Sequence, residues 1–162
     1  MGKSKVTNID LAKRFPPSRP CTCEVCVAFC SRPGWWTVRE AAAAIEAGYA
    51  YRMMLEISPE FTFGVLSPAF SGCEGKFAIQ EFAKNGCNFL SNSRCELFRT
   101  GVQPLECRFC HHERLGMGPQ CHAELEKDWD TVEGKLLVTK WTQKVGLNRQ
   151  VLSLQYFLFK PE

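Results

Sequence analysis

The sequence has no long apolar run; nothing approaches the roughly 18 consecutive residues that a bilayer-spanning helix requires. It also has no apolar leader core near its start, where MGKSKVTNIDLAKRF is basic and polar. A soluble cytoplasmic protein with no membrane partner is expected. Histidine is scarce, with three in 162 residues, and no His-Glu-x-x-His pair occurs. There is no glycine-rich phosphate loop and no Ser-His-Asp order, so the usual phosphoryl-transfer and hydrolase signatures are missing. No catalytic motif stands out, and the sequence leans away from an enzyme. Internal repeats and low-complexity segments are missing too. Neither sign of charge dominates: 20 basic against 17 acidic side chains give +3. With 45% hydrophobic and 23% charged residues, a chain of this length fits one globular domain.

What the sequence does have is cysteine, ten in all. Thiols stay reduced in the cytosol, so closely spaced cysteines there read as metal ligands before they read as a disulfide framework. The first group is Cys21-x-Cys23-x2-Cys26-x3-Cys30. The second is Cys87-x7-Cys95-x11-Cys107-x2-Cys110, with Cys73 upstream and Cys121-His122 downstream. A pair such as Cys23/Cys26 or Cys107/Cys110 supplies two soft ligands from one turn, and a distant pair completes the site and staples the fold. The candidate ligands are Cys23, Cys26, Cys30, Cys87, Cys95, Cys107, Cys110, Cys121 and His122. Cys73 and Cys21 lack tight pairing and read equally well as small buried hydrophobes. His111 and His112 are not both expected to bind one ion, because neighbouring side chains of an extended segment point opposite ways; a single ligand histidine and a hydrogen-bonded surface histidine are the two readings left open. Thiolates suit zinc and iron alike, so zinc is the leading cofactor and iron or an Fe–S cluster the alternative. Two tetrathiolate zinc sites would bring the net charge to about −1, so the sequence pI of 8.3 is weak support for nucleic-acid binding.

Three stretches carry a family resemblance: Gly86-Cys87-Asn88-Phe89-Leu90, then Cys95-Glu96-Leu97-Phe98, then Pro104-Leu105-Glu106-Cys107-Arg108. Together with the order of cysteine cluster, Pro33-Gly34 turn and capped helix, the chain resembles the YkgJ-type cysteine-cluster proteins. By position, Cys23, Cys26, Cys30, Cys87, Cys95 and Cys107 match that family's cysteines. The resemblance spans roughly residues 21–110 and implies metal chelation, by zinc or iron, without implying a reaction. The chain departs from the pattern where the family's first cluster ends in adjacent cysteines: here three residues separate Cys26 and Cys30.

Other readings compete for the same residues. Cys107-Arg-Phe-Cys110-His111 matches the haem-attachment pattern, which requires export. Arg94, Arg99, Arg108 and Arg114, interleaved with Phe89, Phe98 and Phe109, would suit a zinc-dependent module that binds nucleic acid or protein. The plainer reading makes those phenylalanines core and those arginines solvated.

The expected fold is a small α+β domain with central helices and short strands, stapled by one or two cysteine-rich metal sites. Residues 1–20 form a basic arm, and residues 21–162 a single metal-binding domain. Thr37 and Glu40 form a capping box for a helix from Val38 to about Glu56, with Ile45, Tyr49 and Met53 on one face. Phe61, Phe63 and Val65 alternate as in a strand, and Ser67-Pro68 marks a turn. A short helix is expected from Cys121 or His122 to Trp129. A second follows Asp130, with Glu133 as cap partner, Leu137, Trp141 and Val145 on its apolar face and Gly146 at its end. Val151 to Phe159 reads as a buried strand.

Overall fold

A computed structural model describes residues 19, 21–109, 111–114 and 118–147. Most of the basic arm, Cys110 and the expected C-terminal strand therefore lie outside the described residues. The described chain is a mixed α+β unit. Helix α1 (Glu24–Phe29) carries Cys26 and is flanked by Cys23 and Cys30, and α2 (Val38–Ala44) follows a Pro-Gly turn. Strands β1 (Met53–Ile57) and β2 (Gly64–Pro68) pair antiparallel, with Leu55 opposite Leu66. A small hairpin, β3 (Leu90–Ser91) with β4 (Arg94–Cys95), precedes a short 3-10 turn at Glu106–Phe109. Helices α3 (Gly118–Trp129) and α4 (Val132–Val145) complete the unit, and α4 lies over β2 and α2.

The capping box forms as the sequence implies. Thr37 Oγ1 accepts from the Glu40 N–H at 3.0 Å, and Glu40 Oε2 accepts from the Thr37 N–H at 3.0 Å. The expected helix from Val38 to about Glu56 is corrected. The regular helix stops at Ala44, passes through a wide turn over Ile45–Tyr49, and gives way to a strand at Met53. Gly48 has φ +98°, a conformation that L side chains rarely adopt and that ends helical propagation. The strand is favoured by two separate apolar clusters. Met53 and Leu55 point into the main core, whereas Met54 joins Ala69, Phe70 and Cys73 on the other face. That is a period of two, which a helix cannot satisfy.

Smaller corrections concern the neighbours. Phe61 lies in the β1–β2 connection, half exposed at φ +56°, and the strand starts at Gly64. Ser67 and Pro68 belong to β2 rather than to a turn. Helix α3 begins at Gly118, and the N-cap of α4 is Thr131, whose hydroxyl accepts from the Gly134 N–H at 3.1 Å. Gly146 ends α4 as expected.

Three fully buried tryptophans hold the elements together. Trp36 Nε1 donates to Val102 O, Trp129 Nε1 to Trp36 O and Trp141 Nε1 to Ala50 O, each at 2.7 Å. Each indole thus buries a large apolar surface while its N–H is satisfied, which avoids the cost of an orphaned buried donor. Trp36 and Trp129 anchor the segment after the first cysteine group to α3, which fixes one wall of the site below.

Candidate metal centre

Two segments far apart in sequence meet at the first cysteine group. Cys21 and Cys23 lead into α1, and Cys26 sits on it with its side chain buried. Opposite them lies the 3-10 turn His112–Arg114, with His111 just before it. One ligand atom each from Cys21, Cys26, His111 and His112 falls within 4.8 Å of every other. This is a group of Cys and His ligands able to hold a metal ion.

The distances sharpen the ligand set. A tetrahedral ion with bonds of about 2.3 Å to sulfur and about 2.05 Å to nitrogen holds its S and N ligands about 3.6 Å apart. His112 Nδ1 lies 3.6 Å from Cys21 Sγ, 3.6 Å from Cys23 Sγ and 3.3 Å from Cys26 Sγ. All three N···S distances thus suit edges of a metal tetrahedron within a few tenths of an ångström, although Cys23 is not in the group whose ligand atoms all lie within 4.8 Å of one another. The His112 backbone N–H also donates to Cys26 Sγ at 3.3 Å, the kind of second-sphere contact that orients a thiolate ligand.

His111 stacks on His112, with ring centroids 4.4 Å apart and 28° between planes. The expectation that adjacent histidines diverge holds for an extended segment, and the chain turns here instead. A neutral imidazole has one lone pair, and His111 directs its Nδ1 at the Glu113 N–H, 3.1 Å away. Among the described residues, His112 makes no such backbone commitment through its ring, and its Nδ1 faces the sulfurs. His111 is buried beneath it and supports the ring.

The thiols are electrostatically uneven. The Cys26 backbone N–H, and after it the Cys21 side chain, pull the solvent-exposed Cys23 thiol down to about 7. Burial pushes the Cys26 thiol up to about 11. A thiolate at Cys23 is therefore available near neutral pH to make the first bond to an ion, whose charge would then favour ionising the rest.

The scaffold that brings the two segments together is built on Gly34 and Glu40. A Cβ at Gly34 would lie 2.6 Å from Cys107 N and 2.9 Å from Cys107 Sγ, so only glycine admits this approach. The Gly34 N–H donates to Cys107 Sγ at 3.3 Å, and Trp35 O accepts from the Glu106 N–H at 3.2 Å. Glu40 extends its capping box outward: it accepts from the Leu105 N–H at 3.1 Å and pairs with Arg108 at 3.3 Å. Arg114 Nη1 donates to Arg108 O at 2.9 Å, which ties the histidine turn to the same segment.

The structure distributes the sequence-derived candidates over several places. Cys23 and Cys26 sit at the site just described. Cys30, Cys87, Cys95 and Cys107 line a cleft of about 570 Å³ that also reaches Cys21, Cys26 and His111. Cys121 is buried between Leu105 and Leu125. His122 receives a carboxylate at each ring nitrogen, Glu106 at 2.8 Å on Nδ1 and Glu126 at 3.4 Å on Nε2, and lies against Trp35. Cys110 lies outside the described residues. Cys73 is a core residue beside Met54, Ala69 and Phe70, and no disulfide joins the described cysteines. The structure therefore sets Cys21 and His112, both left open in the sequence, beside the candidates Cys23 and Cys26.

No family model matches the chain, and no curated protein or solved structure matches it either.

Proposed function

We propose that this chain is a metal-binding protein whose structural zinc ion is held by Cys21, Cys23, Cys26 and His112. The observation that carries this reading is His112 Nδ1 standing 3.3–3.6 Å from three sulfurs supplied by another segment. Three thiolates and one neutral imidazole form a set found in structural zinc sites, and a closed set of four leaves no position for substrate. The ion's work is to clamp the start of α1 to the histidine turn, because binding energy at such a site is folding energy. This fits the metal-chelating role that the likeness to the YkgJ-type proteins implies. Iron in place of zinc is the competing occupant, since thiolates accept both.

The test is competition for zinc between a chromogenic chelator and the protein, with His112→Ala and Cys23→Ser alongside. Each variant is expected to bind at this site at least 100-fold more weakly and to melt at a lower temperature. Unchanged zinc affinity in His112→Ala would remove the assignment.

A further inference from the structure

The Cys/His site gathers three thiols around one imidazole nitrogen. The sulfurs of Cys21, Cys23 and Cys26 stand 3.6, 3.6 and 3.3 Å from the same His112 Nδ1, and those of Cys21 and Cys26 lie within 4.8 Å of each other. Cys23 is the N-cap of α1 and Cys26 belongs to its first turn, where the Val27 N–H donates to Cys23 O at 3.0 Å. Residues three apart on such a turn are neighbours on one face, so Cys23 and Cys26 are a pair that a disulfide can join.

The three thiols differ in access. Cys23 is exposed, Cys21 is partly exposed, and Cys26 is buried. Cys21 and Cys26 also line the cleft of about 570 Å³, which gives a small solute a route to them. An accessible sulfur beside a sheltered second one is the arrangement in which oxidation stops at a disulfide. The two sides of the site are also tethered unequally. Arg114 Nη1 holds the histidine turn to Arg108 O at 2.9 Å, whereas residues 21–26 place only Cys26 among the buried apolar side chains. Loss of an ion from the site would therefore free residues 21–26 first.

We propose that this site is a redox-sensitive switch: hydrogen peroxide oxidises Cys23, Cys26 closes a disulfide on it, and the zinc ion is released. The inference rests on the reading of Cys21, Cys23, Cys26 and His112 as a zinc site and adds its regulation. Zinc has no redox chemistry of its own, so the electrons come from sulfur. Ligation holds the sulfurs as thiolates, the nucleophilic form. The Cys23 thiolate attacks one peroxide oxygen, the O–O bond breaks, and the other oxygen leaves as hydroxide; Cys23 is now a sulfenic acid. The Cys26 thiolate attacks that sulfur, the S–S bond forms, the S–O bond breaks, and a second hydroxide leaves. The two sulfurs lose two electrons in all, and the hydroxides become water by taking two protons from solvent. A disulfide offers no thiolate to the ion, so Cys21 and His112 alone remain as ligands. A dithiol reductant reverses the step by thiol–disulfide exchange and is itself oxidised to a disulfide.

The experiment treats the full chain, loaded with one equivalent of zinc, with hydrogen peroxide in the presence of a chromogenic zinc chelator. Free thiols are then alkylated and cross-links mapped by mass spectrometry. Zinc is expected to appear in step with a disulfide between Cys23 and Cys26, and dithiothreitol with added zinc should restore the loaded protein. Cys23→Asp keeps a fourth ligand without the disulfide partner, and its zinc is expected to leave about tenfold more slowly. Zinc that stays bound while peroxide oxidises other thiols would overturn the proposal. So would zinc lost without a disulfide between Cys23 and Cys26, or a loss that dithiothreitol does not reverse. Should Cys23→Asp fail to fold, the wild-type cross-link map decides alone. Failure of the zinc reading shows separately, as unchanged zinc affinity in His112→Ala before any peroxide is added.

Discussion

His122 shows how one residue type divides between roles according to what surrounds it. His112 presents Nδ1 to three sulfurs, whereas His122 is held by Glu106 and Glu126. The hydrogen bond from His122 to Glu106, chiefly, holds its imidazole above the ordinary value near 6.5. A histidine raised by folding stabilises the native state fully below about 6.5, and that contribution is lost as pH rises through the folded value. The side chain is 42% exposed, so solvent screens the pair and the effect on stability is small. The clearer readout is NMR titration of the His122 ring. Its midpoint is expected above that of a free histidine and should fall in Glu106→Gln. An unchanged midpoint in that variant would show that Glu106 is not the cause. At this scale the sequence was informative about which residues could ligate but not about which of them the fold brings together. Cys21 and His112, left open between ligand and plainer roles in the sequence, are distinguished only by the fold that sets them opposite one another.

The elements show why part of the fold was legible and part was not. The capping box of α2 is written in two side chains three residues apart, and it formed. Replacing Thr37 with Ala removes the acceptor for the Glu40 N–H at the start of α2. It is expected to cost about 1 kcal/mol, read as a lower denaturant midpoint at unchanged slope. The strand Met53–Ile57 was hidden behind an alanine-rich run that favours helix, and only the two apolar clusters on its opposite faces reveal it. The Pro33-Gly34 turn was visible as a turn, yet its role was not, because the partner is Cys107, more than seventy residues away. A methyl group at Gly34 collides with backbone at Cys107 and Glu106, which cannot simply rotate aside. Gly34→Ala is expected to lower stability by about 1–3 kcal/mol and to weaken zinc binding, since the histidine turn is carried on the displaced segment. An alanine variant with wild-type melting temperature and zinc affinity would break the proposed link between that turn and the site.

For the molecule as a whole, a metal in the proposed site would share with the core the work of holding the chain together. The buried tryptophans join the helices to the sheet, but the segment bearing Cys21 to Cys26 contributes only Cys26 to the buried apolar residues. An ion bound there would supply what apolar burial does not. Ligand present at 1,000 times its dissociation constant adds about 4 kcal/mol to the folded state by mass action. Stripping the metal with a strong chelator is therefore expected to lower the melting temperature, and restoring one zinc per chain should recover it. A protein indifferent to the chelator would show that the site is not structural. The cysteine-rich α+β character was legible at this scale because thiol spacing and overall composition are local properties of the sequence. The division of the cysteines between a compact Cys/His group, the cleft beside it and the core was not, because it depends on contacts across the whole chain.

The central claim, that three sulfurs and the His112 imidazole form one zinc site, is tested most directly by X-ray absorption at the zinc edge on protein loaded with one equivalent. The expected first shell is three sulfurs at about 2.3 Å and one nitrogen at about 2.05 Å, with the nitrogen lost in His112→Ala. A shell of four sulfurs, or one dominated by oxygen, would contradict it.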